Sequence, residues 1–154
     1  MKSYYASKFP VTWLKAYKTC RDFNMDLVEL PTKAEADYFL TLCAQELGNF
    51  WESYWHIGGS YNGAEMNEFY WMTTEQRINY SLDFTPDNRG GAENYLSVQN
   101  HQGSFIFNDI SITEKHRHIC QYIPKSGSKS FRNISVSLLY EYGLNFKVIK
   151  IVIF

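Results

Sequence analysis

Two stretches with helical periodicity come first in this chain, separated by one short apolar run, and the other runs with strand character follow them. Trp13, Ala16, Tyr17 and Cys20 recur at i, i+3, i+4 and i+7, one apolar face of a helix. Thr12 stands directly before them, where a hydroxyl can accept from an amide that has no partner inside the helix. Asn24-Met25-Asp26 breaks the pattern, and Leu27-Val28-Glu29-Leu30 reads as a short buried strand. Thr32 and Glu35 have the spacing of a capping box, so a second helix is predicted from there. Phe39, Cys43 and Leu47 form its apolar face, and Gly48-Asn49 ends it. From Trp51 short aromatic and β-branched runs alternate with Gly, Asn and Asp. Those from Tyr54 to Ile57, Phe69 to Met72, Tyr95 to Val98, Ser104 to Phe107 and His116 to Tyr122 read as short antiparallel strands. Residues 81–94 follow neither period, and a long irregular loop inside a compact domain is usually functional. Helices followed by strands give an α+β layout.

Composition narrows the functions open to such a layout. Hydrophobic residues make up 45% and charged residues 20% of 154, which supplies a core and excludes wholesale disorder. The net charge of −1 leaves no basic surplus for a phosphate backbone, which argues against a nucleic-acid partner. Aromatics reach 18%, a richness that suits binding surfaces because rings bury much area at low entropy cost. No run of 18 apolar residues is present, so no membrane span is expected. Residues 1–123 are read as one domain. A polar linker starts at Pro124 and leads into an apolar, β-prone tail that ends at Phe154, so 124–154 is set apart. The tail reads as an extra edge strand or as an aggregation-prone segment, with no assigned role.

The three cysteines, Cys20, Cys43 and Cys120, allow one internal disulfide and leave one thiol. Cys43 shares a helix face with Phe39 and Leu47 and is read as a packed thiol rather than a nucleophile. No G-x-S-x-G, H-E-x-x-H or P-loop pattern occurs, so an enzyme is not expected. His116 and His118 alternate on a predicted strand and are read as solvent-facing. The N-terminal residues lack the apolar run of a secretion signal, so the chain is either cytosolic or begins after a removed leader. The sequons Asn79-Tyr80-Ser81 and Asn133-Ile134-Ser135 agree with secretion.

The ordered set of short motifs then matters more than any one of them. It runs Trp13, Ala16 and Cys20; Leu27-Val28; Glu35; His56-Ile57-Gly58-Gly59; Phe69-Tyr70-Trp71. It continues through Pro86-Asp87-Asn88, Gly90-Gly91, Glu93, Asn108-Asp109 and Ile119-Cys120. Over roughly residues 4 to 122 the chain resembles the C-type lectin domain family, and within it the short insect C-type lectins. His56-Ile57-Gly58-Gly59 stands for the family's W-I-G-G, and Phe107-Asn108-Asp109 for its W-N-D.

The resemblance implies a C-type lectin-like fold: two helices flanking two small antiparallel sheets, terminal strands paired, and a long irregular binding loop. It also implies a Cys20–Cys120 disulfide and an extracellular, secreted protein. It implies one Ca²⁺ in the long loop, held by Thr85, Asp87, Glu93, Asn108 and Asp109. Ca²⁺ takes 6–8 oxygen ligands, and adjacent sugar hydroxyls complete such a shell. Asp87, Glu93 and Asn108 would then also bind the sugar. Asp87 after Pro86 matches galactose-type members, so galactose-type sugars are the expected ligand. The partner is a carbohydrate or glycoprotein, and an oligomer would multiply weak contacts. The alternative is a calcium-independent lectin-like module that binds protein. Several positions depart from the family. Thr85 replaces Glu or Gln, and Tyr95 and Ile112 stand where an inner disulfide is normally made. Arg89 stands where some relatives carry Trp, leaving His101 as a candidate ring for the sugar to stack on.

Overall fold

The computed structural model describes residues 2–50, 53–62, 68–82, 92–124 and 146–149. Helix α1 spans Trp13–Asp22, and its N-cap Thr12 accepts from the Lys15 amide. Helix α2 spans Lys33–Leu47, with Thr32 accepting from the Glu35 amide. Only half of the expected capping box forms, because the Glu35 carboxylate pairs with Lys2 Nζ instead of turning back to its own helix start. Gly48 follows α2 in right-handed backbone. A Cβ there would lie 2.4 Å from the Ala44 carbonyl oxygen, so close approach and not a left-handed turn requires glycine.

The strands are β1 (Ser3–Ser7), β2 (Asp26–Leu27), β3 (Tyr54–Asn62), β4 (Glu68–Trp71), β5 (Glu93–His101), β6 (Ser104–Ser111), β7 (Arg117–Tyr122) and β8 (Phe146–Ile149). They lie in the order β6-β5-β3-β7-β1-β8, with β2 beside β7 and β4 beside β3. The expected run at Leu27 to Leu30 shortens to β2. Val28 and Leu30 remain buried, and Val28 still bonds Ile119 and Gly58 through its backbone.

All the expected strands form, but they are not all antiparallel. β3 pairs with β7 in parallel, with Trp55 beside Arg117 and His56 beside His118. That pairing joins the two small antiparallel sheets into one mixed sheet. The terminal strands pair as implied, with Tyr5 opposite Cys120. Of the tail, Phe146–Ile149 lies antiparallel on the outer side of β1, an edge strand.

The core falls into two parts. One lies between α2 and the sheet and includes Tyr4, Phe39, Leu47, Trp55, Ile57, Trp71, Leu96 and Val98. The other gathers Trp13, Ala16, Cys20, Met25, Leu27 and Cys120 under α1. Trp13 joins them, since its indole N–H donates to the Ile57 carbonyl at 2.8 Å. Gly59 lets β3 and β5 pack, since a Cβ at that position would lie 2.4 Å from a Leu96 methyl.

Candidate functional site

The β5–β6 ladder carries three of the five expected calcium ligands. Asn108 lies opposite Ser97 and Asp109 opposite Leu96. Glu93 opens β5 opposite Ser111, past a register shift between Glu93 and Tyr95. All three positions therefore lie toward the end of the ladder at which β5 begins and β6 ends. Thr85 and Asp87 lie outside the described residues, so the ladder itself contributes Glu93, Asn108 and Asp109.

Their chemistry fits a hard cation. Glu93 is 8% exposed and Asp109 is 5% exposed. Carboxylates that deep require hydrogen bonds, a cation or a metal. The Asn108 amide nitrogen donates to the Asp109 carbonyl at 2.7 Å. That bond turns Oδ1, the atom expected to face a metal, the other way. Two carboxylates and an amide oxygen form an all-oxygen set, which suits Ca²⁺ rather than a soft metal.

What holds this end of the ladder differs from what the resemblance implies. Tyr95 takes the place of an inner cysteine, and its ring packs on Trp13 with centroids 4.4 Å apart. Trp13 in turn stacks on Tyr17 at 5.6 Å. A ring contact to α1 therefore stands where a disulfide would. His101 is at the far end of β5, eight residues from Glu93, or about 27 Å of extended chain. It is too distant to provide the stacking ring expected of it.

The Cys20–Cys120 disulfide is formed, closing 100 residues of sequence. Cys43 is a buried free thiol whose pKa burial pushes up, as expected of a packed side chain. The sulfurs of Cys20 and Cys120 and a ring nitrogen of His118 lie within 4.8 Å of one another. With both sulfurs in a disulfide, neither is a thiolate ligand.

The solvent-facing reading of the β7 histidines is corrected for His118, which is 2% exposed. Its ring lies beside the Cys20–Cys120 disulfide in the interior, out of reach of solvent. Burial lowers the pKa of His118 to about 4, with His56 adding repulsion. His56, buried beside it, also drops to about 4, mainly by burial. The His56 Nε2–H donates to the Val11 carbonyl at 2.8 Å. His116 is half-buried, bonded through Nε2 to Glu114 at 2.9 Å.

Sequence reasoning missed one buried acid. Glu29 is 2% exposed and accepts from the Thr73 amide at 2.5 Å and from the Thr74 hydroxyl at 2.8 Å. It pins the turn after β4 against β2. The available signal was a single acid inside the apolar run from Leu27 to Leu30.

No family model matches the chain. Several solved structures do. The C-type lectin CEL-I from Cucumaria echinata matches with a TM-score of 0.58 at 22% identity, over 78% of this chain and 89% of that chain. The mouse scavenger receptor C-type lectin carbohydrate-recognition domain matches with a TM-score of 0.63 at 21% identity, over 80% and 90%. Herring type II antifreeze protein matches with a TM-score of 0.62 at 19% identity, over 80% and 92%. With its two helices, its mixed sheet and the terminal strands paired and tied by Cys20–Cys120, the chain has the C-type lectin-like fold.

Proposed function

We propose that this protein is an extracellular, non-catalytic lectin that binds carbohydrate through Ca²⁺ at the loop end of the β5–β6 hairpin. The observation that carries the reading is the position of Glu93, Asn108 and Asp109 toward that end of the ladder, two of them buried carboxylates. Thr85 and Asp87 complete the ligand set. The ion supplies charge that polarises and orients two adjacent sugar hydroxyls. Asp87 and Glu93 accept hydrogen bonds from those hydroxyls, and Asn108 donates to or accepts from them. Asp87, in the position of galactose-type members, favours galactose-type sugars.

The likeness to CEL-I and the scavenger receptor domain, named for lectin and carbohydrate recognition, supports this reading. The equal likeness to an antifreeze protein, whose name mentions neither lectin nor sugar, keeps open the second reading, a calcium-independent lectin-like module that binds protein. Calorimetry on the oxidised, calcium-stripped protein separates them. The lectin reading expects one Ca²⁺ site, at about 10⁻⁴–10⁻³ M as in extracellular modules. It also expects galactose to compete better than mannose, and Asp87→Ala to abolish both calcium and sugar binding. No calcium heat up to about 10 mM, well above that range, overturns it.

A further inference from the structure

An open cleft of about 390 Å³ lies where β3 and β7 begin, lined by Pro10, Ser53, Tyr54, Lys115, His116 and Arg117. It is not the calcium loop. Tyr54 pairs with Gln99, six residues along β5 from Glu93, about 20 Å of extended strand.

The cationic groups of this cleft are unevenly matched by acids. The Arg117 guanidinium is fixed in place. It lies 4.9 Å from the Phe50 ring centre and 5.9 Å from that of Trp55. Its Nη1 donates to the Ser53 hydroxyl at 2.7 Å, and its Nε donates to the Lys8 carbonyl at 3.2 Å. All of these partners are neutral. Arg117 has no carboxylate partner among the described residues, although the chain has 16 acids. Lys115, exposed on the rim, likewise makes no ion pair among the described residues. The nearby acid Glu114 is occupied, accepting from the Ser111 amide and bonded to His116. The Tyr54 and His116 rings pack together with centroids 4.9 Å apart and give the cleft an aromatic wall.

A guanidinium held in place by neutral contacts, an exposed ammonium and a ring wall are complementary to an oxyanion attached to a flat or apolar face. The charge recognises the oxyanion. The ring accepts the apolar face of a sugar, as aromatic surfaces do. Basic surface residues are often merely solvated. Here, though, Arg117 is half-buried and already fixed, so little side-chain freedom remains to be lost on binding.

We propose that this cleft is a second binding site, for the sulfate ester or carboxylate of an acidic polysaccharide. It is independent of the calcium loop. The test is calorimetry of the full chain with EDTA at about 0.15 M salt, where long-range attraction is screened. The probes are oligosaccharides of heparin, of hyaluronan and of neutral dextran. Heparin or hyaluronan binds and dextran does not. Lys115→Glu weakens binding about tenfold or more, whereas Lys33→Glu on α2, with the same change in net charge, alters it less than about twofold. Binding of heparin alone assigns a sulfate ester, of hyaluronan alone a carboxylate, and of both an oxyanion of either kind. Asp87→Ala leaves the acidic ligand bound, so failure of the calcium reading is distinguishable from failure of this one. The proposal is overturned if neither acidic probe binds, if dextran binds equally, if EDTA abolishes binding, or if the two lysine variants lose it alike.

Discussion

The region under α1 and the loop end of the β5–β6 hairpin are both joined to the first helix, but by different bonds. Under α1, Cys20 is linked covalently to Cys120 of β7, a residue also paired with β1 and β2. At the loop end, the link is Tyr95 resting on Trp13. A disulfide acts on the unfolded chain and is insensitive to small shifts in packing. A ring contact acts only while both rings stay in place. The disulfide is therefore the larger single tie of the two in the chain-entropy account. The ring contact is the smaller tie, so an ion bound beside it would be expected to add measurably to the order there.

The largest effect expected from breaking this comparison is at the disulfide. Replacing Cys20 and Cys120 together by alanine opens a loop of 100 residues. In the chain-entropy account that costs about 4–5 kcal/mol, and chemical denaturation of the two oxidised proteins measures it. A cost near zero would mean that packing alone secures the α1 region.

Acid is expected to weaken the same half of the molecule at its parallel seam. His56 and His118 have pKa values near 4 in the folded protein, below the ordinary 6.5. The unfolded chain therefore takes up protons first as pH falls. Their contribution is complete above pH 6.5 and is lost progressively between 6.5 and 4. One such histidine is worth about 3 kcal/mol, and two that repel each other do not simply add. The urea midpoint of the native protein should fall steeply over that window. His56→Gln, which retains a donor for the Val11 carbonyl, should flatten the fall; an unchanged slope sinks the assignment.

At the loop end, Tyr95→Ala should cost about 2 kcal/mol, less than a fully buried ring because Tyr95 is only half-buried. Its informative readout is calcium. If the ring is what positions Glu93, Tyr95→Ala weakens Ca²⁺ binding while Tyr95→Phe leaves it nearly unchanged. Equal calcium affinity in all three proteins would show that the ring only adds stability.

Legibility in the sequence followed the same division. Both helices, their N-cap threonines and the buried positions Trp13, Ala16, Phe39 and Cys43 were readable, because helix burial repeats with a short local period. The strand segments were readable as segments, but the parallel β3–β7 seam was not. Its pairing joins residues more than 60 apart, and His118 looks polar in a list of residues whatever covers it. Glu93, Asn108 and Asp109 were named through the family resemblance, not through local pattern, since Asn and Asp also occur wherever a chain turns. The basic cleft was not legible at all. Pro10, Ser53 and Lys115 come from three distant segments, and only the tertiary arrangement brings them together.

The smallest expected effect is also the one that most sharpens the comparison. An ion that binds only the folded state stabilises by RT ln(1 + [L]/Kd), or about 1.4 kcal/mol at ten times Kd. That increment is well below the effect of the disulfide, so it should be sought locally. In hydrogen exchange, saturating Ca²⁺ should slow the amides of β5 and β6 nearest Glu93 and Asp109. The amides of β1 and β7, which sit beside the disulfide, should change by no more than the global increment. Asp87→Ala should remove the local protection and leave the β1–β7 pattern unchanged. Protection spread evenly over both regions would contradict the division, because a ligand at one weakly held end would then be stabilising only the whole. Protection at β5 and β6 that persists in Asp87→Ala would instead keep the ion on the ladder residues and remove Asp87 from the ligand set.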